Sequence, residues 1–561
     1  MPSTAIDRHK FLHSAGIVSA AVALSRITGM VREVVMARLF GAGAVNDAFQ
    51  LAFRIPSLTR NLFAEGALSS ALVPVFTRSL TGDKKREAAE LSSLVATAVV
   101  LVVGPLCALG MIFTPQLVRV LAPGFEHVPG KFELTVLLAR IMFPFLLLVA
   151  LAAQAMAALN ASGSFGVPAL ASSLFNIGSV ACGLSLGYTV GRRMGNGMIL
   201  SMAFGVLAGG VLQLLWQLPS MWRAGFVFRP RIDWNHPGLR QIFRMMGPAL
   251  LGNAALQVNI VVNSNLASGI QDAAGHVIDG PVSWLGYAFR FMQLPVGLFG
   301  VAIASATLPS ISRSAGLRQM DEFSATLARS LGTILLLTVP SSVGLAVVGE
   351  SMIAAIYQGG RFTAYDTHQT AVALTCFSAG LAGYSALKTL SAAFYALDDA
   401  RTPMIASVVS IAVNFGASYG MLKWAGIGYA GLAISTASVA VLSAVALLAV
   451  LQQRLGGIGL RKLAPSALKI AVAAALMGVV CKVSSNLIHH AMGGRSHVAL
   501  VDVAISIPLG IAVFYAAARV WRVEELEAVE SACYTAFRNN APRPEVGDPP
   551  ARSRQSSGGP A

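Results

Sequence analysis

Long apolar runs recur along almost the whole 561-residue chain, and that recurrence limits the fold more than any other feature. The first covers residues 11–24 and resumes over 34–39. Others occupy 44–76, 91–113, 134–159, 167–190, 198–218, 242–266, 284–311, 327–357, 370–397, 404–422, 427–451, 468–488 and 498–520. One membrane-crossing helix needs about 20 apolar residues, so the pattern predicts an all-α integral membrane protein of about 14 transmembrane helices. Charge agrees: only 12% of residues are charged, half the share usual in soluble domains, and the mean hydropathy is +0.67. An ordinary soluble enzyme is excluded. The basic stretch Arg8–Lys10 before the first run resembles a signal peptide's start, but the runs that follow favour a first membrane helix.

Forty-one Lys and Arg against 25 Asp and Glu give a formal charge of +16. The basic residues lie scattered in short loops, without clustered aromatics, which argues against nucleic acid as a partner. They concentrate after even-numbered runs: Arg78, Lys84, Lys85 and Arg86; Arg223, Arg229, Arg231 and Arg240; Arg313 and Arg318; Arg454, Arg461 and Lys462. Both termini are therefore expected in the cytoplasm. The five cysteines are far apart and the nine histidines have no ligand spacing, so neither a disulfide framework nor a metal site is expected.

The two halves repeat. Ala52-Phe53-Arg54 returns as Ala288-Phe289-Arg290, and Leu62-Phe63 through Arg78-Ser79 returns as Leu298-Phe299 through Arg313-Ser314, at an offset of about 235 residues. Six runs per copy is an even number, so the copies are parallel repeats with a binding site expected between them. The expected organisation is a first lobe at 1–219, a cytoplasmic connection at 220–239, a second lobe at 240–455, runs thirteen and fourteen at 456–521, and a cytoplasmic, largely disordered tail at 522–561.

Ionisable side chains at membrane depth cost about 2.5–3.5 kcal/mol each on insertion scales and mark function or pairing. Run one holds Arg26 and Arg32, roughly 120° apart on a helix, with Glu33 as a partner for one of them. Asp47 opens run two; Arg54, Arg60 and Glu65 interrupt it; Arg290 stands alone in run eight. Arginine's planar fork suits phosphate oxygens, so these residues predict a cationic cavity for an anionic substrate. Snorkelling or structural pairing is the plainer reading, and Pro56 gives Arg54 an equal claim to a helix-end role. Asn259, Asn263 and Asn414 are candidates for a cation site, although amides more often join helices. The glycines at 41 and 43 are not followed by the Lys of a phosphate loop, so active transport would run on the membrane potential or a coupled ion, without a cofactor.

Specific words then narrow the choice. Ser25-Arg26-Ile27-Thr28-Gly29-Met30-Val31-Arg32-Glu33, Phe40-Gly41-Ala42-Gly43 with Asp47-Ala48-Phe49, and Asn61-Leu62-Phe63-Ala64-Glu65-Gly66-Ala67 resemble the opening of the MurJ (MviN) family of lipid II flippases. Ala122-Pro123-Gly124-Phe125, Met246-Gly247-Pro248, Val282-Ser283-Trp284 and Gly360-Arg361-Phe362-Thr363 extend the likeness to about residue 451. The resemblance implies a multidrug/oligosaccharidyl-lipid/polysaccharide exporter fold: two six-helix lobes around a cationic cavity, with two extra helices forming a groove for a lipid tail. It implies movement of undecaprenyl-pyrophosphate-linked disaccharide pentapeptide across the bacterial inner membrane by alternating access, for peptidoglycan synthesis. Lipid II and membrane lipids are the partners this implies, with the cell-wall synthesis machinery as a further candidate. Substrate contact falls on Arg26, Arg32, Arg60 and Arg290, and cavity or gating roles on Asp47, Arg54, Glu65 and Ser283, Asp47 and Arg60 being expected to pair or gate. Gln293 stands where some members carry an acid, and the carboxylates of some relatives' sodium site are not evident. The alternative is a flippase for another lipid-linked saccharide of the same superfamily. A drug exporter would want acidic cavity residues, and an enzyme a catalytic set on a polar loop.

Overall fold

The computed structural model describes residues 5–62, 72, 75–77, 85–191, 196–458, 460–493, 497–527 and 529–531. The first half holds α1 (Ala5–Phe40), α2 (Ala44–Leu62), α3 (Lys85–Ile112), α4 (Thr114–Leu121), α5 (Lys131–Met142), α6 (Phe145–Ala161), α7 (Gly166–Thr189) and α8 (Gly197–Arg223). The second holds α9 (Pro237–Ser268), α10 (Pro281–Pro295), α11 (Ala302–Gly316), α12 (Met320–Tyr357), α13 (Ala364–Ser378), α14 (Leu381–Ala396), α15 (Arg401–Lys423) and α16 (Tyr429–Arg454). Two further helices, α17 (Leu460–Met492) and α18 (Val498–Val520), follow. Among the described residues there are no strands, only two isolated bridges.

Ten stretches are long and apolar enough to cross a membrane, or eleven when α13 and α14, bent by 44°, are taken as one. They match eleven of the 14 expected runs. Runs one, two and seven, which fold as α1, α2 and most of α9, are not among them. α2 is too polar to qualify, with Asp47, Arg54 and Arg60 within 19 residues, whereas parts of α1 and α9 lie outside the residues whose side chains the structure describes.

α7 and α8 pack closely along small residues: a Cβ on Gly205 would lie 2.3 Å from the Ser179 carbonyl. α1 lies on α7, α2 on α5, and α3 on α6. In the second half α10 packs on α13, α14 on α16, and α9 on α15. The two sets meet where α2 touches α9 and α10. α17 and α18 pack against each other and against α12, away from that seam. At the start of the tail, Val523, Leu526 and Val529 join Leu336, Ile470 and Ala518 in a small core, and Ser466 bonds Glu525. The described part of the tail is helical over 524–527 and 529–531 and ends there. Between α14 and α15, Asp399 accepts bonds from the Arg401 and Thr402 N–H groups (3.0 Å each), the Thr402 hydroxyl (2.6 Å) and Arg454 (2.5 Å).

Candidate functional site

α1 and α10 bring charge to the seam. Arg32 Nη2 and Arg290 Nη1 both lie 3.0 Å from Glu33 Oε1. The Glu33 side chain is 6% exposed, Arg32 14% and Arg290 39%. The Arg32 guanidinium also sits 5.3 Å from the Phe53 ring centre and 5.4 Å from that of Phe175, a cation–π setting that holds a charge in an apolar wall. Arg32, Glu33, Gln50, Phe53 and Arg290 line a cavity of about 20 Å³, enough for about one water. A pyrophosphate-sized group does not fit it, so this conformation is closed around its charges.

Arg26, six residues before Arg32, is exposed, and its guanidinium lies beside Gly297 in the single turn of π-helix, Val296–Val301, that follows α10. Arg54 donates to Ser264 Oγ on α9. The repeat-related pair Arg54 and Arg290 therefore makes reciprocal contacts, each reaching into the opposite half of the chain. Four guanidiniums and one carboxylate leave the region strongly cationic, matched to an anionic group.

A second cluster closes the end of the seam where α1 turns into α2. Asp47, buried in the first turn of α2, accepts from the N–H groups of Gly280 (2.8 Å) and Ser283 (2.9 Å) and from Ser283 Oγ (2.6 Å). Gly280 and Ser283 are the N-cap and third residue of α10, so a carboxylate from the first half caps a helix of the second, where its charge is favoured. Lys131 Nζ, 1% exposed, binds Asp47 at 3.0 Å and Asp279 at 2.7 Å, 4.2 Å from the Phe125 ring centre. Asn46 Nδ2 donates to Ser283 Oγ and to the Tyr287 hydroxyl. At the rim, Arg361 N–H donates to the Arg38 carbonyl at 2.8 Å. Gly41 (φ +67°) and Gly360 (φ +58°) permit this approach: a Cβ on the first would stand 2.5 Å from the Arg361 carbonyl and on the second 2.2 Å from that of Arg38.

Of the residues singled out in the sequence, Arg26, Arg32, Arg54 and Arg290 gather at the seam, and Asp47 and Ser283 bond each other at its closed end. Asp47 takes Lys131 as its cation; the Arg60 side chain and Glu65 lie outside the described residues. Gln293 is exposed. Asn259, Asn263 and Asn414 join helices: Asn263 Nδ2 donates to Thr436 Oγ1 (2.9 Å), Asn414 Nδ2 to Asn263 Oδ1 (3.0 Å), Ser435 Oγ to Asn414 Oδ1 (3.1 Å), and Asn259 Nδ2 approaches Ser410 Oγ at 3.5 Å. Among the described residues no three His, Cys, Asp or Glu side chains form a group able to hold a metal ion. Sequence reasoning missed Lys131 and Asp279. A lysine just after a Pro-Gly turn reads as an interfacial charge, and nothing local signals its burial.

Two sets of membrane helices meeting across an arginine-lined seam define a polytopic transporter of the MOP-superfamily fold. A MATE family transporter of that superfamily, in an inward-facing conformation, superposes with a TM-score of 0.63 at 15% identity, covering 78% of this chain and 95% of the other. The family model "Lipid II flippase MurJ" matches residues 36–501, and the chain belongs to that family. It is 33% identical over 441 residues to a probable lipid II flippase MurJ of Vibrio cholerae, covering 77% of this chain and 81% of the relative. It is 32% identical to the lipid II flippase MurJ of Burkholderia cenocepacia, covering 78% and 83%. A solved lipid II flippase MurJ in an inward closed conformation superposes with a TM-score of 0.71 at 25% identity, covering 90% of this chain and 99% of that one.

Proposed function

We propose that the chain is a lipid II flippase that carries its pyrophosphate-linked substrate from the cytoplasmic to the outer leaflet of the bacterial inner membrane, for peptidoglycan synthesis. The observation that carries this reading is the meeting of Arg32 and Arg290, from opposite halves, on the single carboxylate of Glu33. A substrate phosphate offers both guanidiniums a stronger anion than Glu33 can, so its arrival frees the tie between the halves and couples binding to movement. Arg26 extends the cationic path, and the Asp47–Lys131–Ser283 cluster serves as the outer gate.

On this reading α1, α2 and α9 cross the membrane too, giving 14 spans in two six-span lobes plus α17 and α18, with both termini cytoplasmic. α17 and α18, packed on α12 away from the seam, would flank the lipid tail. An inside-negative potential favours outward movement of an anion, by up to about 2.3 kcal/mol per charge per 100 mV. The test is expression of wild type and Arg290→Ala, at equal membrane levels, in a bacterium depleted of its own flippase, followed by measurement of lipid II exposed on the outer face. Wild type is expected to restore exposure and the variant to lose it. Failure of a correctly inserted wild type would overturn the substrate, and full activity of the variant would overturn the role of Arg290.

A further inference from the structure

Asp502 is fully buried near the start of α18, at the end of that helix opposite the C-terminal tail, and neither the cavity nor the gate uses it. Its carboxylate is gripped from three helices. Ser351 Oγ on α12 and Ser485 Oγ on α17 (2.7 Å) donate to Oδ2, and Ser506 Oγ on α18 itself donates to Oδ1 at 2.6 Å. Beside them lies a small apolar core of Val348, Met477 and Cys481. Burying a carboxylate in such a place is unfavourable unless strong donors or a cation meet it.

The ion-pair partner here is His489 on α17, whose Nδ1 lies 3.8 Å from Asp502 Oδ2. Its side chain is 50% exposed, three residues from the end of α17. Nδ1 also stands 2.9 Å from the Ser485 carbonyl, which can only accept. That contact places a hydrogen on Nδ1 and leaves Nε2 as the nitrogen to which acid adds a proton. Among the described residues, the other ionisable groups near this end of the three helices are Glu350 on α12, Lys482 and His490 on α17, and His497 before α18. All are exposed, Glu350 faces His368 at 3.2 Å, and among the described residues none pairs with Asp502. A metal ion does not fit, because the oxygens already touch at 2.6–2.7 Å while a hard cation holds each ligand about 2.0–2.6 Å from its own centre.

We propose that Asp502 and His489 form a proton-binding site that fastens α17 and α18 to α12. A proton taken from water onto His489 Nε2 sets an imidazolium beside the buried carboxylate and tightens the three-helix junction; its release leaves Asp502 on serine hydroxyls alone. The proposed topology makes this the outer face, so the ligand is the external proton, although the site itself does not depend on that orientation.

The test is a double-mutant cycle on the full chain in nanodiscs: wild type, His489→Gln, Asp502→Asn and the double variant, unfolded at about pH 5.5 and about pH 8. The stabilisation of wild type over His489→Gln is expected to be about threefold or more larger, in the unfolding equilibrium constant, at the acid pH, and to vanish in the Asp502→Asn background. An effect of His489→Gln that is equal at both pH values overturns the proposal, as does one that survives without the Asp502 charge. His489 is half exposed, so its variant folds; should Asp502→Asn not fold, the wild-type and His489→Gln comparison decides alone.

Discussion

Glu33 Oε1 is shared by two guanidiniums, that of its neighbour Arg32 and that of Arg290, 257 residues along the chain, each at 3.0 Å. The two arginines would repel without it. Glu33→Gln keeps the shape and removes the charge, so the closed seam is expected to weaken by about 1–3 kcal/mol, below the loss for a fully buried pair because Arg290 is partly hydrated. A cysteine placed at Ser179, which lines the cavity, should then react faster with a membrane-impermeant thiol reagent. Unchanged labelling would mean that Glu33 does not hold the closed form.

Lys131→Met would strand the Asp47 carboxylate, 1% exposed, with backbone and hydroxyl donors but no cation. Removing one partner of a buried pair is expected to lower stability by about 3–5 kcal/mol. Asp279, 41% exposed, is rehydrated easily and contributes little to that loss. Adding Asp47→Asn should recover much of the stability, which unfolding of the two single variants and the double variant would measure. Simple additivity would argue against the pair as the centre of the gate.

Asp399 lies between α14 and α15, where the Thr402 hydroxyl and N–H, then Arg454, hold its carboxyl down at about 2. The sign follows: a depressed carboxylate stabilises the fold above the ordinary aspartate range, and that stabilisation is lost as pH falls toward 2. Asp399→Ala should therefore unfold at a lower temperature than wild type near neutral pH, with the gap narrowing as the medium is acidified. A gap that stays constant down to pH 2 would assign the effect to the lost cap geometry alone.

Much of the fold is legible in the chain because membrane helices are set by length and hydropathy, and eleven of the expected runs fold as apolar helices. The arginines are legible for the same reason, since charge at membrane depth stands out against its surroundings. Lys131 is not. Its burial depends on Asp47 and Asp279 arriving from elements 84 and 148 residues away, and no local pattern encodes that meeting. The reciprocal reach of Arg54 and Arg290 is half legible: the repeat pairs them, but which side chain each would find requires the packing of α2 on α9 and of α1 near α10. The amide residues on α9 and α15 read more readily as joints than as ligands, and in the structure Asn414 donates to Asn263.

The closed end of the seam combines two fasteners of unlike chemistry. The Lys131 hub answers to charge, whereas the rim, where Gly41 and Gly360 let the Arg38 and Arg361 main chains interlock, answers to shape alone. Burial shields the first from salt, and the second carries no charge for salt to screen. Closure is therefore indifferent to ionic strength, and opening must come from motion of the helices themselves.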